Sequence, residues 1–414
     1  MLTHSSKLRC GSLSLLSFIG LLVTLAPGSY AEGCPASNSQ LALDMKLSAS
    51  AAAPVLARNM PHERGELDEW QQALAKELTR VIQSSVEHEE CAGLSVAIAI
   101  EDEYLVRDGF GFADLEHGIR ADASTLFRIG SVTKQFTAAA IMRYVERGTL
   151  DLEGEMHQFL PTYPETEHPV TLRQLLTHTS GIPSYTAQPD WQETILEAVE
   201  PEGMAEYISG IAFDFEPDER FSYNNSGYFL LGLILEQASE VSYAEHLDAE
   251  LFPLAELKRT RVGARDPVIQ GRAQGYAFRG GQFFNDQPIS MTHPYAAGNI
   301  LSSAAELVQW QHALTRGDVV SFESYEQMIT PHTLSNGNKT TYGFGLGVGK
   351  VQDFDVVRHS GGINGFNSIL IWVPDFDLSV AVISNSEAFD APDFGSQLTE
   401  QVLAAILLRE AEDD

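Results

Sequence analysis

The spacing of apolar residues divides the chain into strand-rich ends and a helical middle. Between Leu67 and Ile82, apolar residues recur every three or four positions, which predicts an amphipathic helix. Residues 94–100 then form a continuous apolar run that is typical of a buried strand. Residues 104–112 follow with the pattern of its hairpin partner, so a helix and a β-hairpin open the predicted fold.

The middle of the chain, residues 131–315, has mostly helical periodicity. The clearest helical segments are residues 131–146, 171–177, 226–240 and 304–314. Strand patterns return at residues 343–349, 354–359, 366–373 and 378–384. A last amphipathic helix runs from Phe394 to Leu407. Because strands stand at both ends, the pattern predicts one sheet built from both ends of the chain, with a helical region inserted.

The first residues carry the features of a secretory signal peptide. Lys7 and Arg9 precede an apolar run at residues 13–26, and small residues favour a cut after Ala31. The run is shorter than the roughly 20 residues that span a membrane, although a retained anchor is the alternative. We therefore predict a signal peptide at residues 1–31 and an exported protein, either periplasmic or secreted.

The rest of the chain divides into an arm and a domain. Residues 32–64 are rich in Ala, Ser and Pro, which predicts a flexible arm, and residues 65–414 are predicted to form one domain. Cys34 and Cys91 would remain after removal of the signal peptide. In an oxidising compartment these two cysteines could form a disulfide, and the alternative is two thiols.

The charge of the chain limits its partners. It carries 26 Lys and Arg against 57 Asp and Glu, a formal net charge of −31. A surface of this sign repels phosphate backbones and anionic lipids. Neither nucleic acid nor a membrane surface is therefore an expected partner.

One candidate catalytic pair is Ser131 and Lys134, at the start of a predicted helix. The i, i+3 spacing puts both side chains on one helical face. A serine hydroxyl is a weak nucleophile that needs a nearby base, and a lysine amine with a lowered pKa can serve. The alternative is a capping serine beside a surface lysine. It is disfavoured because residues 136–141 are apolar and predict a buried helix.

Two further polar groups stand later in the chain. Tyr223 and Asn225 are two positions apart before a predicted helix, so in an extended stretch both side chains would face one cleft. Residues 359–362, His-Ser-Gly-Gly, end a predicted strand. The two glycines would let a substrate lie against the strand edge and would expose a backbone N–H. Taken alone, each group is an ordinary helix start or strand end.

The order S-x-x-K, Y-x-N, H-x-G resembles that of the serine β-lactamase and penicillin-binding protein superfamily. The chain is most similar to the branch with Tyr-x-Asn in the middle: class C β-lactamases, DD-carboxypeptidases, D-aminopeptidases and related esterases. The resemblance covers about residues 90–385. It includes TLFRIGSVTKQFTA at 125–138, LLTHTSGIP at 175–183, LLG at 230–232, YGFG at 342–345 and GFNS at 365–368.

This resemblance implies an α/β (α+β) fold of the β-lactamase/transpeptidase type. An antiparallel sheet would be flanked by terminal helices, and the site would lie between the sheet and an inserted helical subdomain. The implied reaction is acyl transfer to a serine followed by hydrolysis, without a cofactor or a metal. The open substrate classes are a D-alanyl peptide, a β-lactam and a simple ester. The alternative function is a catalytically silent binding or scaffold protein on the same fold.

The resemblance also assigns roles position by position. Ser131 would form the acyl-enzyme, and Lys134 and Tyr223 would share proton transfer, either of them being the base. Asn225 would contact Lys134 or the amide of the substrate. The backbone N–H groups of Ser131 and Gly362 would form the oxyanion hole.

Other positions qualify this picture. His359 stands where many relatives have Lys. His-x-Gly is a known variant in the carboxypeptidase and esterase branches, so the resemblance argues against a specific β-lactamase. Ser360 and Gly361 would lie along the substrate. Asp218 stands where relatives usually have Gly, which leaves the local turn open. His178 is predicted to support the site rather than to react.

Overall fold

The computed structural model describes residues 67–88, 90–263 and 268–413. The predicted signal peptide, the predicted arm and Cys34 lie outside these residues. Cys91, the proposed partner of Cys34, is buried just before the first strand, with its Sγ 3.9 Å from Ser384 Oγ. None of the described helices combines the length and the apolar character needed to cross a membrane.

The described residues form short and long elements in a mixed order. The strands are β1 Gly93–Ile100, β2 Glu103–Asp114, β3 Ile119–Arg120, β4 Phe127–Arg128, β5 Arg261–Val262, β6 Tyr276–Arg279, β7 Gln282–Asn285, β8 Ile300–Ser302, β9 Gly347–Val351, β10 Phe354–Ile363, β11 Phe366–Val373 and β12 Leu378–Ser384. The α-helices are α1 Glu69–His88, α2 Thr133–Glu146, α3 Met156–Phe159, α4 Leu172–Leu176, α5 Trp191–Thr194, α6 Pro201–Ser209, α7 Ser226–Ser239, α8 Tyr243–His246, α9 Tyr295–Gly298, α10 Ala304–Arg316, α11 Phe322–Ile329 and α12 Ala391–Asp413.

The main sheet has seven strands in the order β3-β2-β1-β12-β11-β10-β9, and every neighbouring pair is antiparallel. The two ends of the chain meet where β1 pairs with β12, from Leu94 opposite Ser384 to Ile100 opposite Leu378. The helical region is inserted between β3 and β9. The predicted α/β architecture, one antiparallel sheet built from both ends, is confirmed.

The residues of β1 separate two hydrophobic layers. Leu94 and Val96 belong to the cluster that also contains residues of the terminal helices α1 and α12. Ala97 belongs to the cluster of the helical region, and the Ser95 hydroxyl on this side accepts a hydrogen bond from the Ala304 N–H. Small side chains on this face let α10 pack closely against the sheet, whereas the larger ones fill the space beneath α1 and α12.

The helical region is organised around α2, which is buried on nearly all sides. Phe136 of α2 stacks on Trp310 of α10 with ring centroids 4.1 Å apart, and α7 and α9 also pack against α2. A helix that is buried all round is typical of a protein interior. Packing therefore fixes the start of α2, which directly follows the turn that carries the candidate nucleophile, Ser131.

One predicted strand begins later than expected. The pattern predicts a strand at residues 343–349, but β9 begins at Gly347 and residues 343–346 form a turn. Gly345 has φ +70°, and a Cβ there would lie 2.6 Å from the carbonyl oxygen of Lys134. The prediction was wrong at this segment. Its glycines do not form the small face of a strand; they let the backbone of the turn lie close to α2.

The turn at Asp218 keeps a left-handed conformation without glycine. Asp218 has φ +67°, and its carboxylate lies 2.6 Å from His332 Nε2. Its carbonyl oxygen accepts hydrogen bonds from the N–H and the hydroxyl of Ser335. Aspartate tolerates this backbone region better than most residues do, and these bonds offset the remaining strain.

We expect Gly345→Ala to destabilise the protein by about 2 kcal/mol or more, because backbone strain and a backbone clash act together. Gly337→Ala is the matched control: Gly337 has φ +83°, and a Cβ there would meet nothing within 4 Å. It should cost only about 1 kcal/mol. Urea unfolding of both variants checks the difference, and equal losses would contradict the close approach.

Candidate active site

Ser131 lies in a 3₁₀ turn, Gly130–Val132, that leads directly into α2. Gly130 has φ +49°, and a Cβ there would lie 2.9 Å from the backbone nitrogen of Gly362. Glycine thus lets the turn before the nucleophile touch strand β10. Ser131 and Gly362, the two residues of the predicted oxyanion hole, line the same cleft.

Lys134 is fully buried beneath Ser131. Its Nζ lies 3.1 Å from Ser131 Oγ, 2.8 Å from Asn225 Oδ1 and 2.9 Å from the carbonyl oxygen of Ala297. Burial lowers the pKa of Lys134 well below its usual value of 10.5, since the charged form loses its hydration. The burial of Lys134, one of the two candidates for the base, therefore favours its neutral amine.

The contacts of a neutral Lys134 amine are fixed by its partners. A carbonyl oxygen and an amide oxygen only accept hydrogen bonds, so the two N–H groups donate to Ala297 and Asn225. In this neutral form, the lone pair would be left for the remaining neighbour, the hydroxyl of Ser131, whose Oγ lies 3.1 Å from Nζ. This is the arrangement in which an amine can remove a serine proton.

Asn225 reaches Lys134 from a helix start rather than from an extended segment. Its backbone is helical, with φ −89° and ψ −23°, and it precedes α7 as the N-cap residue. The prediction of an extended Tyr223–Asn225 stretch is therefore wrong for the backbone of Asn225, although both side chains do face Lys134. The Asn225 amide nitrogen donates to Thr186 Oγ1 at 3.1 Å, which orients its oxygen toward Lys134.

Tyr223 places its ring over the amine, with Lys134 Nζ 4.9 Å from the ring centroid. Burial raises the pKa of Tyr223, and a hydrogen bond with the Ser131 side chain opposes that rise. Because 41 % of the residue remains exposed, water limits the upward shift. The direction still keeps the phenol protonated at neutral pH.

His178 lies behind Tyr223, with ring centroids 4.3 Å apart. It is fully buried with φ +59°, and its Nδ1 accepts a hydrogen bond from the Asn224 N–H at 3.3 Å. Burial and the nearby Lys134 lower the pKa of His178 well below 6.5, so the ring is neutral. These contacts favour the predicted supporting role, because they position the segment that carries Tyr223.

His359 is buried and neutral. Its Nδ1 lies 2.6 Å from the carbonyl oxygen of Ser360, which can only accept, so Nδ1 carries the proton. Its Nε2 then accepts a hydrogen bond from the Tyr342 hydroxyl at 2.7 Å. Burial, together with the nearby Lys134, lowers the pKa of His359 to about 3. A position that is cationic when it carries Lys is therefore uncharged here.

The other residues of the His-Ser-Gly-Gly segment differ in exposure. The segment lies within β10, beyond Arg358, the last residue of β10 that pairs with β9. Gly362 is exposed and lines the cleft at Ser131. Gly361 is buried, and a Cβ there would lie 2.0 Å from the Ile129 carbonyl oxygen. Ser360 is exposed but does not line that cleft.

The cleft beside Ser131 is small, about 110 Å³. Sequence reasoning missed several of its walls, including Thr186, Trp191, Ile289 and Ala297. These residues lie in loops and in helices of one turn. Such short segments show no periodic pattern of apolar residues from which they could be predicted. None of the described residues that line this cleft carries a charge.

A larger cavity of about 740 Å³ lies elsewhere, beside α6 and α7. Its walls include Glu202, Glu206, Glu236 and Glu240, and none of the predicted site residues lines it. We place the candidate active site at the smaller cleft because that cleft contains the paired hydroxyl and amine. Among the described residues, no cluster of His, Cys, Asp or Glu is arranged to hold a metal ion.

A sheet built from both ends of the chain, an inserted helical region and a serine–lysine pair at their junction define the β-lactamase/transpeptidase class of fold. The chain belongs to the Beta-lactamase family, whose model matches residues 78–402. The predicted superfamily is thus confirmed, and the family supports a serine hydrolase that works through an acyl-enzyme.

Three relatives illustrate the similarity. Penicillin-binding protein 4* of Bacillus subtilis is 30 % identical over 315 residues, covering 71 % of this chain and 68 % of that protein. The octameric penicillin-binding protein homologue from Pyrococcus abyssi has a TM-score of 0.68 at 29 % identity, covering 80 % of this chain and 77 % of that one. D-amino acid amidase from Ochrobactrum anthropi shares the fold, with a TM-score of 0.70 at 24 % identity, covering 82 % and 99 %. The chain spans about two thirds of the length of the curated relatives it matches.

The buried amine predicts a pH-dependent stability. Because the pKa of Lys134 is lower in the folded than in the unfolded chain, the unfolded state binds more protons between these two values. The free energy of unfolding should therefore rise with pH across this window. Lys134→Met should remove that contribution. Between pH 7 and pH 10, the free energy of unfolding should therefore rise by about 1 kcal/mol or more in wild type relative to the variant.

Chemical denaturation at several pH values measures this difference. Lys339→Met removes a positive charge at an exposed position and is the matched control. Parallel stability curves for wild type and Lys134→Met would contradict a lowered pKa at Lys134.

Proposed function

We propose that this protein is a serine hydrolase that cleaves esters or amides through a covalent acyl-enzyme on Ser131. The observation that carries the proposal is the 3.1 Å contact between the Ser131 hydroxyl and the buried amine of Lys134. Membership in the Beta-lactamase family supports the same chemistry. A silent binding protein on this fold would not need an amine kept neutral beside a serine.

We assign Lys134 as the base and Tyr223 as the proton relay. The neutral amine accepts the Ser131 proton while Oγ forms a bond to the carbonyl carbon of the substrate. A phenol with a raised pKa remains protonated, so Tyr223 passes a proton to the leaving group and regains one from Lys134. Water then attacks the acyl-enzyme with the same groups acting in reverse, which releases the acid and restores Ser131.

The developing negative charge on the carbonyl oxygen needs donors in the same cleft. We propose the backbone N–H groups of Ser131 and Gly362, which the close approach of Gly130 to β10 brings together. The first turn of α2 adds the positive end of its dipole near Ser131. A donor of this kind contributes about 3 kcal/mol to the transition state.

We further propose that the preferred substrate is uncharged near the scissile bond. His359 is neutral, and the described walls of the cleft carry no charge that could pair with a carboxylate. A net charge of −31 also repels anionic substrates. Among the open classes, these features favour a simple ester or neutral amide over a D-alanyl peptide or a β-lactam with a carboxylate.

The three reacting side chains should behave as one unit. Ser131→Ala should abolish labelling by a fluorophosphonate probe, and Lys134→Ala and Tyr223→Phe should each slow acylation by roughly 100-fold or more. The double variant should be little slower than the slower single variant, because both residues serve one step. Melting curves separate lost chemistry from lost folding. Full turnover of an ester by folded Ser131→Ala would refute the mechanism.

Charge selectivity can be measured with two substrates of matched length. p-Nitrophenyl butyrate and mono-p-nitrophenyl succinate differ mainly in a terminal carboxylate. We expect kcat/KM to favour the butyrate by about 10-fold or more, since a carboxylate without a partner loses hydration in the cleft. The protein should also cleave nitrocefin and D-alanyl-D-alanine peptides with a lower kcat/KM than the butyrate. Equal rates, or faster succinate cleavage, would contradict an uncharged substrate.

A further inference from the structure

Trp191 separates the catalytic cleft from a second cavity. Its side chain lines the cleft of about 110 Å³ at Ser131 and also lines a cavity of about 220 Å³ on its other side. Among the residues that the structure describes, no other one lines both spaces. The space beyond the indole is therefore twice as large as the space beside the nucleophile.

The indole is held by a small number of contacts. Trp191 Nε1 donates a hydrogen bond to His293 Nδ1 at 3.3 Å, and the opposite ring nitrogen of His293 lies 2.9 Å from the Glu197 carbonyl oxygen. Tyr185 and His293 meet the indole edge-on, with centroids 6.1 and 6.3 Å away. Trp191 begins a helix of only four residues, so little regular structure fixes this wall.

The second cavity suits an apolar chain. Val199 and Met204 form apolar walls, and Met204 is buried. The Asp190 carboxylate at this cavity accepts a hydrogen bond from the Tyr207 hydroxyl at 2.6 Å. Ala198 lines the cavity from an exposed position, which gives a long chain an exit toward solvent.

We propose that Trp191 sets the length of the acyl group accepted at Ser131, and that the cavity behind it is a subsite for longer acyl chains when the indole is absent or displaced. The proposal rests on the proposed ester or amide hydrolysis at Ser131. A cleft of about 110 Å³ has the volume of roughly four water molecules, which limits the acyl group to a short chain.

A series of p-nitrophenyl esters from acetate to octanoate tests this. Wild type should prefer acetate or butyrate. Trp191→Ala should raise kcat/KM for octanoate relative to acetate by about 10-fold or more, since each added methylene in an apolar pocket has an effect of that order. Trp191→Leu is a second variant that opens the cavity, for use if the alanine variant folds poorly. Trp191→Phe keeps a flat ring and should change the ratio of octanoate to acetate hydrolysis least.

Refilling the cavity from the far side provides the matched control. Ala198→Trp in the Trp191→Ala background should remove the gain for octanoate, whereas Ala198→Trp alone should leave acetate hydrolysis unchanged, because Ala198 lines only the second cavity. A chain-length profile that stays the same in both opening variants would overturn the proposal, while labelling of Ser131 would still support the hydrolase.

Binding without turnover separates this proposal from the proposed function. In the Ser131→Ala background, calorimetry with octanamide should show at least about 10-fold tighter binding once Trp191 is replaced by Ala. Tighter binding supports the subsite even if no ester is cleaved. Equal affinity with and without the indole would overturn the proposal whether or not the protein hydrolyses esters.

Discussion

The candidate site depends on keeping one amine out of water. Lys134 is completely buried, and two groups that can only accept hydrogen bonds, Asn225 Oδ1 and the Ala297 carbonyl, surround it with Ser131. Burial opposes the charged form, and none of these three contacts is a carboxylate whose negative charge would stabilise an ammonium. Because the acceptors belong to α9 and to the start of α7, the protonation of Lys134 is a property of the packed helical region.

The sheet also positions the candidate nucleophile, through residues that are distant from it in sequence. β10 extends beyond its pairing with β9, and this free edge lies against the turn that carries Ser131. Ser368 of β11 donates a hydrogen bond to the Ile129 carbonyl oxygen at 2.8 Å, across 239 positions in sequence. The nucleophile is therefore held by the helices beneath it and by the sheet beside it. Chemistry at this site requires both halves of the fold to be assembled.

Much of this architecture could be predicted from the sequence, and the exceptions have physical causes. The strands β11 and β12 begin and end at the predicted residues, because central strands buried on both faces are mostly apolar along their length. Residues 343–346 did not form the predicted strand, because Gly345 lets the backbone of this turn lie close to the backbone of α2. Ser131, Lys134 and Tyr223, which the motifs single out, lie together in the structure. Trp191 has no period or motif to mark it. The neutrality of His359 depends on burial and on the nearby Lys134, which only the folded chain reveals.

The proposed discrimination against anionic substrates would operate at two distances. The net charge of −31 acts over about a Debye length, roughly 8–10 Å at moderate salt, and weakens as salt is added. Within the cleft, the cost of removing water from a carboxylate is local and persists at high salt. His359 would become a cation only near pH 3, because burial and Lys134 lower its pKa to about 3. We therefore expect the proposed charge selectivity within the cleft to depend on packing and to persist at high salt, whereas the long-range repulsion should weaken as salt is added.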